Sequence, residues 1–394
     1  MRRCGLAIAL LLASCDEDAA PSIRIPGNAG SPPTTTPERD AGTTTSTSSD
    51  PNPIALALNA EEACAAVAVR AQPLEAWCWS LATPEGFRHH ALPIDDVVGH
   101  GDWFLGRTRS ATYAWGKGVD AGADAGAGSV EILFGPVKRP YRAGRAAAGA
   151  RHGCVIDDNE GLHCWGDDAA CQTSGEESCA GGRREMTDLS NLLGGGVRFT
   201  GVAAGAAHTC AVASTGTGAT ANVYCWGANA NGETGQPAAA RTPPRPLPLV
   251  PPVRSNELVV AAGAHHGCAA VAGDLYCWGK NDRRQASIAS TAPDVAPAKV
   301  DLSAVVGKVT ALALGGDRTC FVVSPRTGKQ PSRAFCLGGD RIVQVPELED
   351  VQGIASSSSH VCAIARLRDR AGPPQLFCWT GEGAPELVAL PYPR

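Results

Sequence analysis

The sequence predicts an all-β fold built from seven repeated units, each a four-stranded antiparallel sheet. A short cysteine-centred motif, usually aromatic-Cys-Trp-Gly, recurs along the 394 residues at a spacing of roughly fifty residues. The composition is 44% hydrophobic but only 5% aromatic, and abundant Gly, Ala and Pro suit short strands and turns. Apolar and other residues alternate with a period of two, for example in Leu275–Trp278, as expected of half-buried strands.

The cysteines form local pairs, and six of the pairs follow the repeat. These pairs are Cys64–Cys78, Cys154–Cys164, Cys210–Cys225, Cys268–Cys277, Cys320–Cys336 and Cys362–Cys378. Another pair, Cys171–Cys179, lies in a loop outside the repeat. Zinc motifs usually place cysteines two to four residues apart and gather four ligands at one point, whereas these pairs are wider and spread along the chain. We therefore predict disulfides, with no metal and no cofactor, because opposed residues on antiparallel strands lie close enough to be bridged.

Histidine and tryptophan also recur at fixed places in the units. A histidine stands two positions before the first cysteine at His152, His208, His266 and His360. A tryptophan stands at the corresponding place in the cysteine-centred motif at Trp79, Trp115, Trp165, Trp226, Trp278 and Trp379. We expect the histidines to make structural hydrogen bonds and the tryptophans to pack one unit against the next. In adjacent pairs such as His265 and His266 the side chains should point to opposite faces of a strand, which disfavours a shared metal site.

The second unit keeps the frame of the repeat but lacks its cysteines. It contains Tyr113-Ala-Trp-Gly, and we place Phe104 and Ala114 at the two cysteine positions. A Gly- and Ala-rich acidic run near 120–129 lacks the ligand density of a calcium loop, so we interpret it as a flexible insertion. We therefore expect the second unit to be the least rigid.

Unit four resembles the RCC1 repeat (regulator of chromosome condensation) most fully. The resemblance rests on Gly205–Val212 and on Tyr224–Gly235, which includes an Asn-x-x-Gly-x-x-Gly tail that the other units largely lack. Across the seven units it covers residues 54–394, and it implies a seven-bladed β-propeller of four-stranded blades. Such a ring must close. We expect the proline-flanked segment Pro385–Pro391 to complete the first blade beside Ile54–Leu58 and so remove a free edge.

The N-terminal residues predict export and lipid anchoring. Residues 1–14 combine two arginines, a short apolar run and Leu-Ala-Ser before Cys15, which resembles a bacterial lipoprotein signal peptide with Cys15 as the lipidated residue. The apolar run is too short to span a bilayer. Residues 15–53 are rich in Ser, Thr and Pro without apolar periodicity, which predicts a disordered tether. We expect a membrane link through the lipid alone, at the outer membrane or cell surface rather than the inner membrane.

The sequence favours binding over catalysis. It contains no Gly-x-Ser-x-Gly, no phosphate-binding Gly-Lys-Ser/Thr and no His-Glu-x-x-His motif. A net charge of -5 without a basic run disfavours nucleic acid. We predict a non-catalytic, monomeric scaffold for an unidentified protein partner in the cell envelope or outside the cell. Candidate contacts are the insertions near 118–130, 167–183, 214–221 and 236–253.

Two other functions remain open. Propellers similar to this one include bacterial β-lactamase inhibitors, so the protein is alternatively an inhibitor of a secreted or periplasmic enzyme. Exposed aromatic side chains would support that role, and Trp103 and Tyr141 are the candidates. Guanine-nucleotide exchange is the activity of the family's namesake. The predicted export disfavours it, because small GTPases are cytosolic.

Overall fold

The computed structural model describes residues 52–390 apart from short gaps at 69–74, 84–85, 91–93, 95, 102, 108–111, 117–130, 135–144, 215–219, 249, 327–329 and 382. All of these residues fall in the compact unit Thr45–Arg394. The signal peptide, Cys15 and nearly all of the tether lie outside the described residues, as do Tyr141 and the insertion at 118–130.

Seven antiparallel sheets, which we call blades one to seven, follow one another along the chain. Blade one contains β1 (Asn52–Leu58), β2 (Glu62–Ala68), β3 (Glu75–Ser80) and β4 (Arg88–His90). Blade two contains β5 (Asp96–His100), β6 (Trp103–Arg107), β7 (Thr112–Gly116) and β8 (Glu131–Phe134). Blade three contains β9 (Ala146–Ala148), β10 (His152–Ile156), β11 (Leu162–Asp167) and β12 (Arg183–Asp188).

Blade four has a fifth strand and contains β13 (Arg198–Ala204), β14 (His208–Ser214), β15 (Thr220–Asn229), β16 (Ala239–Pro246) and β17 (Val253–Arg254). A three-residue 3-10 turn, Ser255–Glu257, follows, and no helix of the described residues could cross a membrane. Blade five contains β18 (Leu258–Ala262), β19 (His266–Val271), β20 (Asp274–Lys280) and β21 (Asp294–Lys299). Blade six contains β22 (Lys308–Gly315), β23 (Arg318–Ser324), β24 (Arg333–Gly338) and β25 (Arg341–Gln344). Blade seven contains β26 (Leu348–Ser356), β27 (His360–Leu367), β28 (Gln375–Thr380) and β29 (Glu386–Leu387).

The first strands of successive blades are neighbours all the way round, and β1 lies beside both β5 and β26. The chain therefore forms a closed seven-bladed propeller, which confirms the predicted fold class. We call the four successive strands of a blade A, B, C and D, from the central axis outward.

Small residues at the end of strand A let neighbouring backbones meet near the axis. A Cβ atom added to Gly205 would lie 2.5 Å from the carbonyl oxygen of Gly263 in the next blade. The turn after Gly205 is bonded to the same blade, because Ala206 N–H donates to the carbonyl of Ala264 at 3.1 Å. Only glycine allows this approach without displacing the neighbouring turn.

The intra-blade disulfides are confirmed, and they form the core between blades. The six repeat pairs stand directly opposite each other on strands B and C, as Cys154 and Cys164 do. Trp226 lies in one buried cluster with this bridge of the preceding blade. In blade six Leu337 replaces the tryptophan, and it lies in one buried cluster with the bridge of blade five. Each interface thus buries a large apolar side chain beside a neighbouring blade, which is the main driving force for docking the blades.

The placement of Phe104 at a cysteine position is wrong. In blade two Leu105 stands opposite Ala114, in the register that the cysteines have elsewhere, and Phe104 stands opposite Trp115. The sequence alignment of the units placed Gly99 at the glycine position that precedes the first cysteine by five residues. In the structure His100 occupies the place that glycine has in blades three to five, so the cysteine position is one residue later. Phe104 and Trp115 are buried and their rings stack at 5.8 Å. This aromatic pair packs against the bridge of blade one, whereas Leu105 and Ala114, at the bridge position of blade two, pack beside Trp165 of blade three.

The expected closure by the C-terminal strand is also wrong. Strand β29 pairs with β28 in blade seven, with Leu387 opposite Phe377, and blade one has its own D strand. A D strand that follows C through a short connection costs less closure entropy than one that returns to the first blade. Side chains instead close the ring, since Leu390 is buried in one cluster with Leu58 and Trp79.

Candidate functional site

The strongest candidate surface is the face of the propeller where the A–B turns and the C–D loops emerge, over blades three to five. The C–D loops of these blades are residues 168–182, 230–238 and 281–293. We call this surface the loop face. It includes the Cys171–Cys179 pair and most of the insertion predicted near 167–183.

A buried polar residue three positions after the tryptophan organises each of these loops. The Oδ1 atom of Asn229 accepts the backbone N–H of Thr234 at 2.9 Å, and its Nδ2 donates to the carbonyl of Pro237 at 2.8 Å. Asn281 has the same role in blade five, where its Oδ1 accepts two backbone N–H groups. In blade three the residue is Asp168, whose Oδ1 accepts the N–H of Thr173 at 2.9 Å.

Only unit four shows this loop as a motif in the sequence, because the glycines of the motif are missing from the other units. Gly232 has a φ of 75°, in the left-handed region. The equivalent residues three positions after Asp168 and Asn281 are Cys171 and Arg284, and each has a φ of 60°. Left-handed backbone is unfavourable for such side chains by roughly 1–2 kcal/mol, so the surrounding hydrogen bonds hold it in place.

The loops are fastened to the next blade by hydrogen bonds to carbonyl oxygens. The carbonyl of Gln172 accepts Nε1–H of Trp226 at 3.0 Å and the hydroxyl of Thr209 at 2.8 Å, both in blade four. The carbonyl of Glu233 accepts Nε1–H of Trp278 in blade five at 2.8 Å. The repeat tryptophans therefore fix the loops as well as filling the core.

The repeat histidines of blades three and five each form a hydrogen bond with a threonine hydroxyl of the next blade. His152 Nε2 lies 3.0 Å from the hydroxyl of Thr209 in the next blade. Because that hydroxyl already donates to Gln172, the histidine must carry its proton on Nε2 and donate it. His266 Nε2 lies 2.8 Å from the hydroxyl of Thr319 in blade six. Burial lowers the pKa of both His152 and His266 to about 3, so both are neutral at pH 7.

His208 in blade four lacks such a bond. It is buried, but the next blade has Gly267 at the place of the threonine, and among the described residues neither ring nitrogen has a hydrogen-bond partner. Burial lowers the pKa of His208 to about 4, although the nearby carboxylate of Glu233 acts in the opposite direction. His360 differs again, because its Nδ1 lies 2.8 Å from the hydroxyl of Ser359 at a partly exposed place.

Trp103 takes the histidine place in blade two, opposite Gly116. It is only 2% exposed, and its Nε1–H donates to the carbonyl of Gly149 at 2.8 Å. Its ring also meets Trp165 edge-on, with centroids 6.4 Å apart. Trp103 is therefore a core residue, and the expectation that it forms an exposed aromatic contact is wrong.

A buried carboxylate distinguishes blade four. Glu233 stands where blades three and five have Gln172 and Gln285, and its side chain accepts the backbone N–H of Asn231 at 2.7 Å. Its Oε1 lies 3.3 Å from Nδ1 of His265, which is half-exposed on the loop face. Burial alone would raise the pKa of Glu233. Hydrogen bonds from His265 and Asn231 outweigh this effect and lower the pKa to about 2. Glu233 is therefore ionised at pH 7.

The Cys171–Cys179 loop contains a second buried carboxylate. Asp168 Oδ2 lies 2.6 Å from Nε of Arg184, which also binds Glu176 at 2.9 Å. Burial raises the pKa of Asp168, but hydrogen bonds from Thr173 and Ser174 lower it below its ordinary value. The bridge and the ion pairs together fix a loop that has no strand partners of its own.

The loop face presents a polar surface with charges of both signs. Its exposed residues include Arg151, Glu177, Ala230, Asp282 and Arg283. No group of three or more His, Cys, Asp or Glu side chains in the described part of the chain could hold a metal ion. The arrangement suits recognition by shape and hydrogen bonds on a fixed backbone.

The comparisons with known proteins identify the class of this propeller. A family model of the regulator of chromosome condensation (RCC1) repeat matches residues 199–233, within blade four. The chain thus carries an RCC1 repeat within a seven-bladed propeller. No curated protein matches the sequence.

Among solved structures, human WBSCR16 is similar at 19% identity and a TM-score of 0.61, with 77% of this chain and 84% of that chain covered. Prp20p of Saccharomyces cerevisiae is similar at 15% identity and a TM-score of 0.59, with 79% of this chain and 82% of that chain covered. The structure of Prp20p was described with its binding properties to Gsp1p and histones. At these identities the likeness shows the fold, which is an RCC1-like propeller.

Proposed function

We propose that the protein is a non-catalytic scaffold, exported and lipid-anchored, that binds another protein of the cell envelope or the outside of the cell through its loop face. The observation that carries this proposal is the fastening of three successive C–D loops to buried anchors and, in blades three and four, to the next blade. A fixed backbone loses little conformational entropy on binding, so contacts made by its side chains are retained as affinity. The similar Prp20p propeller binds other proteins, which supports a binding role.

Disulfide use supports export. The seven bridges in the described part of the chain suit an oxidising compartment outside the cytosol. Lipidation at Cys15 would keep such a protein at the membrane after export. The substitution Cys15→Ser should move the protein from the membrane fraction to the aqueous phase in detergent partitioning. Unchanged partitioning would reject the lipid anchor.

Site-directed photo-crosslinking in intact cells tests the binding role. A photoreactive residue at Ala230 or Arg283, both exposed on the loop face, should capture the same envelope or extracellular protein. The matched control is Arg370, which is exposed on the opposite face in blade seven. Equal capture from all three positions, or none from the loop face, would reject this surface as the binding site.

A further inference from the structure

A cavity of about 470 Å³ lies between blades five and six, on the face opposite the loop face. Its lining combines the aliphatic residues Val300, Leu302, Val305, Val309 and Val323 with the polar residues Asp274, Lys299, Asp301, Ser303 and Arg326. The volume falls within the range of roughly 300–1,000 Å³ that is usual for ligand pockets in proteins. We call it the blade five–six cavity.

The rim of this cavity carries charges of both signs, because Asp274 and Asp301 line it together with Lys299 and Arg326. Lys299 is paired with Asp274, whose Oδ2 lies 2.8 Å from its Nζ. Arg326 lines the cavity and Lys308 lies against Gly273 at its edge; both are exposed. Neither Arg326 nor Lys308 belongs to an ion pair within the described ranges. Since Asp274 is paired with Lys299, Arg326 and Lys308 face one other carboxylate, Asp301, and the rim keeps one excess positive charge for an acidic ligand on a protein with a net charge of -5.

An exposed aliphatic side chain extends the apolar surface beyond the cavity. Val306 is 84% exposed and lies between Val305 and Gly307, which both line the cavity. Asp301 holds the start of this loop, because its Oδ1 accepts the N–H of Ser303 at 2.9 Å. A single exposed valine is ordinary on a protein surface, but next to the aliphatic lining of the cavity it adds to a contiguous apolar patch, which is typical of a contact surface.

We propose that the blade five–six cavity docks a short acidic–aliphatic peptide segment of a partner protein. One aliphatic side chain enters the cavity, a second covers Val306, and flanking carboxylates meet Arg326 and Lys308. A fatty acid shares the aliphatic and carboxylate chemistry, but its single carboxylate would meet only one of these two cations. This surface is distinct from the loop face, and the inference stands whether or not the loop face binds a partner.

Fluorescence anisotropy with the full chain tests the proposal. The probe is a fluorescein-labelled octapeptide with two central valines and three aspartates on each side. We expect saturable binding, weakened about tenfold or more when the valines become serines or the aspartates become lysines. The variants Arg326→Glu and Val306→Asp should each weaken binding about tenfold, since both residues are exposed and the fold should tolerate the changes.

The matched control is Arg368→Glu, the same charge change at an exposed residue in blade seven on the same face, and it should bind the probe like the wild type. Thermal melts of all variants establish that each is folded. No saturable binding, equal binding of the serine peptide, or an unaffected Arg326→Glu variant would overturn the proposal. Competition by oleate that is equally strong in the wild type and in Arg326→Glu would also overturn the proposal, since that result assigns the cavity to a lipid. Loop-face crosslinks obtained without peptide binding would reject only the cavity proposal.

Discussion

One repeat position performs different chemistry in neighbouring blades, and single substitutions can separate the two cases. His152 donates to Thr209, whereas His208 is buried without a partner among the described residues. We predict that His152→Leu lowers the free energy of unfolding by about 1 kcal/mol, through the lost hydrogen bond. His208→Leu should leave it unchanged or raise it, because an unsatisfied buried polar group is removed. Urea denaturation with the disulfides intact measures both, and an equal loss in the two variants would contradict the assignment.

The same histidines predict how stability depends on pH. Burial lowers the folded-state pKa of His152 and His266 to about 3 from an ordinary value of 6.5, so the unfolded chain takes up protons first as the pH falls. The free energy of unfolding should therefore be fully present above pH 6.5 and fall steadily from there toward about pH 3. Glu233, with its pKa lowered to about 2, adds a further loss below pH 4.5.

Urea titrations between pH 7 and pH 4 measure this slope. His208 contributes to it as well, since its pKa is about 4 in the folded protein. The variant His208→Leu should therefore show a shallower decline than the wild type between pH 6.5 and pH 4. A wild-type stability that stays flat across this range would contradict the burial of neutral histidines.

At the level of the structural element, the register of blade two predicts a new disulfide. Leu105 and Ala114 stand directly opposite each other on strands B and C, where other blades have their bridge. We expect Leu105→Cys with Ala114→Cys to form an eighth bridge. Relative to the reduced form of this variant, the bridge should raise the melting temperature, and it should raise the free energy of unfolding by at most about 2–3 kcal/mol. Non-reducing peptide mapping and thermal melts measure the outcome.

The control pair is Phe104→Cys with Ala114→Cys, which follows the frame taken from the sequence alone. These two residues are not opposed in the sheet, so their thiols should stay free. A bridge in the control pair but not in the first would show that Phe104, and not Leu105, stands opposite Ala114.

Strands and bridges could be predicted because cysteine pairs and period-two alternation mark strands B and C directly. Blade two shows where that information ends. Without a cysteine nothing in the sequence fixes the register, and Gly99 and His100 exchange roles. The loop anchors were missed for another reason. Cys171 and Arg284 adopt left-handed backbone that is not expected of these residue types, and hydrogen bonds from other parts of the loop hold them there.

For the whole molecule, the junction of blades one and seven determines whether the ring stays closed. Among the described residues no strand is shared across it, and Leu390 packs against Leu58 and Trp79. We predict that Leu390→Ala lowers the free energy of unfolding by about 2 kcal/mol, through lost burial and the cavity left behind. The control is Leu387→Ala, which removes the same atoms at a residue that is 53% exposed and should have little effect. Equal effects in thermal or urea melts would show that closure does not depend on this contact.

The bridges between strands B and C also determine how the molecule would respond to force. Each blade is made of consecutive strands, so pulling on the chain would detach the blades one at a time rather than unzip a sheet shared between distant segments. The segment between bridged cysteines, for example across a separation of 16 residues in blade seven, cannot extend while the bridge is intact. Blade two, which has no bridge, would therefore release its full contour length. Each of the other six blades would release a contour length that is shortened by its bridged segment. A stretching trace of the oxidised protein should carry one long step among shorter steps, and reduction should make the steps more nearly equal.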